Sequence, residues 1–198
     1  MSEPFKFIPW PKTPRWSNET ITVTEKIDGT NAQINITYCG KGVNWNGEVE
    51  PLAVRTLENG DQQILQAGSR NRWLTVQDDN FGFAKWCVEN QTGLFDTFQH
   101  GRIYGEWWGQ GIQRGYDCPG KLFSMFNTRF PIERCPSVEG LTVVPVLYEG
   151  KYSDEVIKDL ANDLVKNGSR ASPGFMKVEG LCIYMHSTDR VYKVVIDK

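Results

Sequence analysis

The feature that most limits the fold of this chain is a short alternating segment that ends at a glycine turn. From Thr20 to Ile27, β-branched residues alternate along the chain. This pattern predicts a β-strand with apolar residues on one face and Lys26 on the other. Asp28-Gly29 then predicts a turn, and a second strand follows around Ile34 and Ile36. The chain is therefore expected to begin with a pair of strands that places one lysine beside a glycine.

The rest of the chain contains many short strand-like segments and few helices. Ser153 to Asn167 is the clearest helix, because Ser153 is a suitable N-cap, the apolar residues form one stripe and Gly168 follows as a terminator. The other predicted elements are a short helix over 81–90, strands over 101–108 and 121–130, a hairpin over 177–186 and 190–196, loops with short strands over 39–71, and a packed, extended, proline-rich segment over 4–16. This mixture indicates an α+β fold, and residues 1–198 are expected to form one domain.

Composition narrows the functional classes. The net charge is −2 and the pI is about 5.8, so a nucleic acid would have to be bound by a local basic patch. Five cysteines without a CxxC pair predict reduced thiols, and two histidines argue against a histidine-based metal cluster. No apolar run has the length of a membrane span, and the N-terminus lacks a signal-peptide pattern. A cytoplasmic protein is expected, with a phage or a virus among the candidate sources.

The segment Glu25-Lys26-Ile27-Asp28-Gly29-Thr30-Asn31 is the candidate for reactive chemistry. It places a lysine at the end of a strand, just before a glycine that lets the backbone approach a ligand closely. A nucleophilic lysine must lose its proton, and because the pKa of a free lysine is about 10.4, such a site needs burial or neighbouring cations. A solvent-exposed hairpin lysine has the same local pattern, so this segment alone does not decide between the two.

Other segments follow in a fixed order, and together with the lysine segment they resemble the covalent nucleotidyltransferases. The resemblance is greatest to the RNA ligase 2-like family of ATP-dependent polynucleotide ligases. The matching segments are Lys26-Ile27-Asp28-Gly29, Ser69-Arg70-Asn71-Arg72, Tyr104-Gly105-Glu106-Trp107, Leu122-Phe123-Ser124-Met125-Phe126-Asn127, Glu179-Gly180-Leu181-Cys182 and Lys193. Pro9 to Arg15 and Thr30-Asn31 are similar to the RNA-ligase branch in particular. The resemblance implies the ligase adenylylation fold, with two antiparallel sheets around an ATP pocket and helices outside.

The resemblance also implies a role for each matching residue. Lys26 would attack the α-phosphate of ATP and carry AMP covalently, while Lys193 would neutralise that phosphate and help Lys26 to lose its proton. Glu179 would hold a divalent metal, Mg²⁺ or Mn²⁺, through carboxylate oxygens. The implied ATP-binding residues are Glu25 at the adenine edge, Asp28 and Gly29 in the lysine turn, Asn31 at the phosphate or the nicked end, Arg70 and Glu106 around the ribose, Phe126 on the adenine face, and Lys193. Phe123 is the alternative stacking residue, because the strand alternation does not choose between the two rings.

The implied activity is the sealing of nucleic-acid ends in three steps. AMP would pass from ATP to Lys26 and then to a 5′-phosphate, and a 3′-OH would finally displace it. A nicked duplex is the expected substrate, with RNA or DNA strands. The alternatives are an ATP-dependent DNA nick ligase, a capping enzyme that transfers GMP, and an inactive nucleic-acid-binding relative. No OB or helical C-terminal domain is evident after Lys193, and a monomer without membrane contact is expected.

The last segment departs from the family pattern, in which two lysines are separated by one residue. Here the neighbours of Lys193 on its face of the strand are Val191 and Val195. Lys193 alone is therefore predicted to supply the cation of this strand, with Arg190 and Lys198 on the opposite face.

Two segments leave their role open. Trp107 to Tyr116 combines aromatic residues, Arg114 and glycines, which suits either contact with a nucleic acid or a packed glycine loop. Lys12 and Arg15, among prolines and tryptophans, could contact a phosphate backbone or cap the pocket.

Overall fold

The computed structural model describes residues 7–13, 19–41, 45, 47–134 and 138–196. Within these residues the chain forms eleven strands, three α-helices and a short 3-10 turn at Ile132–Arg134. The strands are β1 (Thr20–Lys26), β2 (Thr30–Cys39), β3 (Ala53–Thr56), β4 (Gln62–Ser69), β5 (Trp73–Leu74), β6 (Gly101–Gly109), β7 (Lys121–Met125), β8 (Leu141–Val143), β9 (Val146–Lys151), β10 (Gly180–Met185) and β11 (Arg190–Val195). The helices are α1 (Phe83–Glu89), α2 (Gln91–Phe98) and α3 (Asp154–Asn167). The predicted α+β class is confirmed.

Two sheets organise the described residues. The small sheet has four strands in the order β11-β10-β1-β9, all antiparallel. The large sheet has seven, in the order β3-β4-β2-β6-β7-β8 with β5 paired to β4, and its β7–β8 pair is parallel. Because β1 belongs to the small sheet and β2 to the large one, the turn at Asp28-Gly29 connects the two sheets.

Each sheet buries one face under helices, which is how a sheet removes its apolar side chains from water. The large sheet packs Ile34, Leu65 and Phe123 against Phe83 and Leu94 of α1 and α2. On the small sheet, Ile21 and Ile183 pack with Leu164 of α3. The predicted boundaries of α3 are confirmed: Glu155 donates its backbone N–H to Ser153 Oγ at 3.2 Å, and Gly168 follows the helix with a positive φ of 77°. The opposite faces of the two sheets remain free to form a site.

The region 39–71 differs from its prediction as loops with short strands. β4 is an eight-residue strand that pairs along its length with β2. The sequence did not predict this strand, because polar residues such as Gln63 and Gln66 are typical of loops, although both are buried here. Both amides have partners there: Gln63 Nε2 donates to the backbone oxygen of Gln99, and Gln66 Oε1 accepts from Asn35 Nδ2 at 3.0 Å.

Three other local expectations are corrected. The strand predicted over 121–130 ends at Met125, and α2, which the sequence analysis did not predict, follows α1 after a single residue. The segment 4–16 was expected to be packed, but Phe7 and Trp10 are exposed in its described part, residues 7–13. Arg15 lies outside the described residues, and Lys12 is exposed.

Gly105 in β6 offers a test of how tightly β6 and β7 pack. A Cβ at this position would lie 2.5 Å from the backbone oxygen of Ser124 and 2.6 Å from the Phe123 ring. The backbone oxygen cannot withdraw without disturbing the pairing of β6 with β7, so Gly105→Ala should lower the free energy of unfolding by about 1–3 kcal/mol. Urea denaturation measures this change. Gly120→Ala is the control, because a Cβ there meets nothing within 4 Å; equal losses in both variants would contradict the packing described here.

Candidate functional site

A cavity of about 860 Å³ lies between the uncovered faces of the two sheets. Its small-sheet wall is formed by residues of β1, β10 and β11, and its large-sheet wall by residues of β2, β6 and the segments after β4 and β7. The small-sheet wall includes Lys26, Cys182 and Lys193, and the large-sheet wall includes Asn31, Arg70, Glu106 and Phe126. Six of these seven side chains, all but Cys182, were predicted as site residues, and the predicted Glu25 lines the same cavity.

The strand register explains why the two lysines share a wall. Lys26 of β1 lies opposite Gly180 of β10, and Cys182 pairs with Lys193 of β11. Since paired residues point to the same face of a sheet, Lys26, Cys182 and Lys193 all face the cavity. Burial raises the pKa of the Cys182 thiol, while the charges of Lys26 and Lys193 both lower it. Lys193 therefore lies where it was predicted, and Lys198 falls outside the described residues.

Lys26 is held by a carboxylate. Its Nζ lies 2.7 Å from Glu179 Oε1, and the side chains are 23% and 16% exposed. Glu179 immediately precedes β10 rather than lying within a strand, and its backbone oxygen accepts from Ile196 N–H at 2.9 Å. The second carboxylate oxygen, Oε2, is buried and has no hydrogen-bond partner among the described residues. An ion or water molecule could therefore be bound at that oxygen.

A divalent cation fits this arrangement through Glu179. No group of three His, Cys, Asp or Glu side chains converges in the described part of the chain to form a metal site of protein ligands. Mg²⁺ does not need one, because it is commonly held by one or two carboxylates and completes its shell with water and phosphate oxygens. The buried Oε2 of Glu179 is the described oxygen best suited to that role.

Glu106 of β6 joins the large sheet to the lysine turn. Gly29 N–H donates to its Oε1 at 3.1 Å, and Asn31 Nδ2 donates to its Oε2 at 2.9 Å. Burial raises the pKa of Glu106 to about 7; the charge of Lys26 and these two donors lower it, and the charge of Glu179 raises it. Glu106 is therefore a carboxyl group that titrates near neutral pH beside the cavity.

Arg114 connects the turn after Lys26 to the segment before Glu179. Its Nε donates to Asp28 Oδ2 at 2.7 Å, and its Nη1 donates to the backbone oxygens of Lys177 and Val178 at 2.8 and 2.6 Å. Asp28, predicted to bind the nucleotide, does not line the cavity, because its carboxylate faces Arg114. Gly29 acts through its N–H on Glu106. Its structural need for glycine is clear, since a Cβ would lie 2.5 Å from the backbone oxygen of Trp107.

Glu25 borders the cavity and binds the segment that follows α3. Its Oε2 accepts the backbone N–H groups of Arg170 and Ala171 at 2.7 and 2.9 Å, so this carboxylate fixes the segment that follows α3. Its Oε1 is buried without a hydrogen-bond partner among the described residues, and Glu25 borders the cavity. One oxygen of Glu25 is thus structural, and the other is an acceptor that a ligand could use.

Burial distinguishes Phe123 from Phe126. Phe123 is fully buried and belongs to the core under the large sheet, so it cannot stack on a ligand. Phe126 follows the end of β7, lines the cavity and is 46% exposed. The sequence alone could not distinguish the two rings, because β7 ends at Met125 and the alternation of its faces does not extend to Phe126.

The segment from Trp107 to Tyr116 contains the end of β6 and a packed glycine loop after it, and its aromatic rings are not exposed to bases. Trp107, Trp108 and Tyr116 are buried. Tyr116 accepts Asp28 N–H through its hydroxyl at 2.9 Å, and its backbone oxygen accepts from Ser172 Oγ at 2.7 Å. In the sequence, Arg114 stood out only as part of a segment that suited either contact with a nucleic acid or a packed glycine loop. Its bond to Asp28 could not be predicted, because no local pattern connects residues so far apart in the chain.

Comparisons with known proteins agree with this geometry. The family model described as RNA ligase matches residues 19–195. Three solved structures of a Naegleria gruberi RNA ligase are similar. A lysine-to-methionine mutant with AMP and Mn has a TM-score of 0.53 at 19% identity and covers 91% of this chain and 50% of that one. An arginine-to-alanine mutant with ATP and Mn has a TM-score of 0.54 at 18% identity, and a glutamate-to-alanine mutant with ATP and Mn has 0.55 at 19%; each covers 92% of this chain and 51% of that one.

The similarity to the solved structures covers part of their length and is low in sequence. The chain spans about half the length of the solved proteins that it matches, and at this identity they show that the fold is shared. No curated protein sequence matches the chain. None of the helices in the described residues has both the length and the apolar character that a membrane span requires.

The titration of Glu106 should make stability depend on pH. Because its pKa rises from the ordinary 4.5 to about 7 on folding, the protonated form favours the folded state. This contribution is complete below pH 4.5 and is lost as the pH rises through about 7, with an upper limit of about 3 kcal/mol. The melting temperature of the wild type should therefore fall, relative to that of Glu106→Gln, between pH 5 and pH 8. Glu58→Gln, at an exposed position, is the control; parallel curves for wild type and Glu106→Gln would contradict the assignment.

Proposed function

The chain belongs to the RNA ligase family, and we propose that it is an ATP-dependent polynucleotide ligase whose residues 1–198 form the adenylylation domain. The observation that carries this proposal is the contact of Lys26 Nζ with Glu179 Oε1 at 2.7 Å, at a cavity that Lys193 also lines. A strand-end lysine whose carboxylate partner can accept its proton, at a cavity that a second cation also lines, suits nucleophilic attack on a phosphate.

The first step is the transfer of AMP to Lys26. The proton on Nζ passes to Glu179 Oε1, the carboxylate oxygen that it already contacts. The Nζ lone pair then forms a bond to the α-phosphorus of ATP, the bond from that phosphorus to the bridging oxygen breaks, and its electron pair leaves with pyrophosphate. Nζ then releases its second proton to the solvent, and the product is a phosphoramidate between AMP and Lys26.

Charges around the cavity support this step. Lys193 faces the same space as Lys26 and would neutralise the α-phosphate as negative charge shifts towards the leaving group. A divalent metal, Mg²⁺ or Mn²⁺, held through Glu179 Oε2 would add further positive charge at the phosphates. Asn31 and Gly29 already bind Glu106, which keeps that carboxylate on the large-sheet wall and away from the phosphate path.

The nucleotide base is held from its face and its edge. Phe126, half exposed at the cavity, would stack on the adenine ring. Glu25 Oε1 is a buried acceptor without a partner among the described residues, and it would accept a hydrogen bond from the adenine amino group. Arg70 and Glu106 remain the proposed ribose residues. The AMP and ATP present in the similar solved structures support adenine as the base.

The later steps join nucleic-acid ends. A 5′-phosphate oxygen attacks the phosphorus of the lysyl-AMP, the P–N bond breaks, and Lys26 leaves as an amine that takes up a proton from the solvent. A 3′-OH then loses its proton and attacks the 5′-phosphate, and the bond to AMP breaks so that AMP is expelled. We propose a nicked duplex as the substrate and RNA as the favoured strand, on the strength of the family. DNA strands are the alternative.

The direct test of the chemistry is covalent labelling. Incubation with ATP and Mg²⁺ should increase the intact mass by one AMP, and Lys26→Ala should stay unlabelled because no other lysine occupies the strand end. Lys85→Ala, which removes an exposed lysine paired with Glu89, is the control and should label like the wild type. Peptide mapping should place the adduct on Lys26. A wild type that never labels, or a Lys26→Ala variant that does, would sink the proposal.

The second test concerns Lys193. Lys193→Ala should slow labelling by about 100-fold or more, because it removes the strand's cation from the transition state. Lys193→Arg should recover part of the rate, since the charge is kept but the compact ammonium is not. The rates are measured in single-turnover labelling, with Lys158→Ala on the exposed surface of α3 as the control. Labelling of Lys193→Ala at the wild-type rate would show that this strand supplies no essential charge.

A further inference from the structure

Strand β6 extends the cavity wall with two side chains that the reaction does not use. Its residues Glu106, Tyr104 and Arg102 lie on one face, opposite Asn31, Gln33 and Asn35 of β2. Glu106 borders the cavity, whereas Tyr104 and Arg102 continue the same face beyond it. This face of β6 therefore leads directly out of the site.

The two aromatic rings nearest the cavity mouth are neighbours. Phe126 N–H donates to the backbone oxygen of Tyr104 at 2.9 Å, which continues the pairing of Gly105 with Met125. The side chains of Tyr104 and Phe126 consequently stand side by side on the cavity face. Tyr104 is 51% exposed, so its ring is available to a second flat ligand beside the one that Phe126 would hold.

Two arginines near this face, Arg70 after β4 and Arg102 on β6, differ from most other described arginines in their ion pairing. Among the described residues, five arginines contact a carboxylate: Arg55, Arg72, Arg114, Arg129 and Arg170. Arg70 and Arg102 form no ion pair with any described residue. Instead, the guanidinium of Arg102 lies over the ring of Trp73, 5.9 Å from its centroid, which orients the cation without neutralising it.

The surroundings of Tyr104 and Arg102 also suit an anion. Their partners across β2 are the neutral amides Gln33 and Asn35. Arg70 lines the cavity and Arg102 lies on β6 beyond it, and neither has a carboxylate partner among the described residues. They therefore supply local positive charge on a chain whose net charge is −2. An exposed aromatic ring next to arginine is the combination that binds single nucleic-acid strands, by stacking and by charge.

We propose that Tyr104 and Arg102 bind the polynucleotide strand whose end enters the cavity. Tyr104 stacks on a base beside the reacting end, and Arg102 binds a backbone phosphate further along. β6 advances about 3.4 Å per residue, which places Arg102 about 14 Å from Glu106. Since a strand of double-helical DNA rises by about 3.4 Å per nucleotide, Arg102 lies roughly four nucleotides of strand length beyond Glu106. This proposal rests on the proposed ligase function for the identity of the strand.

The test separates strand binding from adenylylation. Tyr104→Ala, Tyr104→Phe, Arg102→Ala and the control Arg190→Ala are compared with the wild type. Arg190 is also an exposed arginine, but it lies on the small sheet outside the cavity. Fluorescence anisotropy with a nicked, 5′-phosphorylated RNA duplex gives the Kd, and intact mass after incubation with ATP and Mg²⁺ gives AMP transfer.

Tyr104→Ala and Arg102→Ala should each weaken binding by about 10-fold while AMP transfer stays within twofold of the wild type. Tyr104→Phe should bind like the wild type, because it keeps the ring. Arg102→Ala should also reduce the slope of log Kd against log salt by about one, since one phosphate contact is lost. Arg190→Ala should change neither quantity.

Several results would overturn the proposal. Unchanged Kd values for both alanine variants exclude a strand on this face, and a parallel loss of AMP transfer means that the variants act through the cavity. A slope of log Kd against log salt that is the same for Arg102→Ala and the wild type contradicts the assignment of Arg102 to a phosphate contact. Absence of AMP transfer in the wild type would instead refute the proposed function. The Kd values would still show whether a polynucleotide strand binds this face of β6.

Discussion

The guanidinium of Arg114 binds the carboxylate of Asp28 and the backbone oxygens of Lys177 and Val178. Asp28 lies in the turn that connects the two sheets, and the two carbonyl groups precede Glu179. One side chain therefore ties the segment after Lys26 to the segment before its carboxylate partner. Charge-assisted bonds of this kind are short and directional, and a lysine could not replace the planar fork that makes them. The contact between Lys26 and Glu179 depends on this connection as well as on the pairing of β1 with β10.

The carboxylates around the cavity are arranged so that few of them oppose an anionic ligand. Glu25 gives one oxygen to two backbone N–H groups, and Glu106 is occupied by Gly29 and Asn31. Glu179 faces Lys26. Because Glu106 also titrates near neutral pH, its charge is reduced further under ordinary conditions. A chain with a slightly negative net charge can therefore still present a cavity in which the cations dominate.

Local patterns were sufficient to predict the elements that carry the lysine and the last helix. The alternation around Lys26, the glycine turn and the cap at Ser153 each depend on neighbours in the sequence, and the structure has all three. β4 was missed because its buried glutamines resemble a loop, and their partners come from distant segments. The same limit applies to the site: burial separates Phe126 from Phe123, and only the folded chain brings Arg114 to Asp28. The roles assigned to individual site residues remain predictions that the experiments above address.

The topology also determines when the site can exist. β1 is made first, yet its partners in the small sheet are β9 and β10, near the other end of the chain. Long separations of this kind slow folding, because the loop must close before the contacts form. During synthesis, both edges of β1 stay unpaired and its apolar face stays exposed until β9 and β10 have been made. Unpaired edges and exposed apolar surface favour association with other chains. Lys26 and Glu179 meet only after β10 has been synthesised, so a truncated product that ends before β10 would contain Lys26 without the cavity around it.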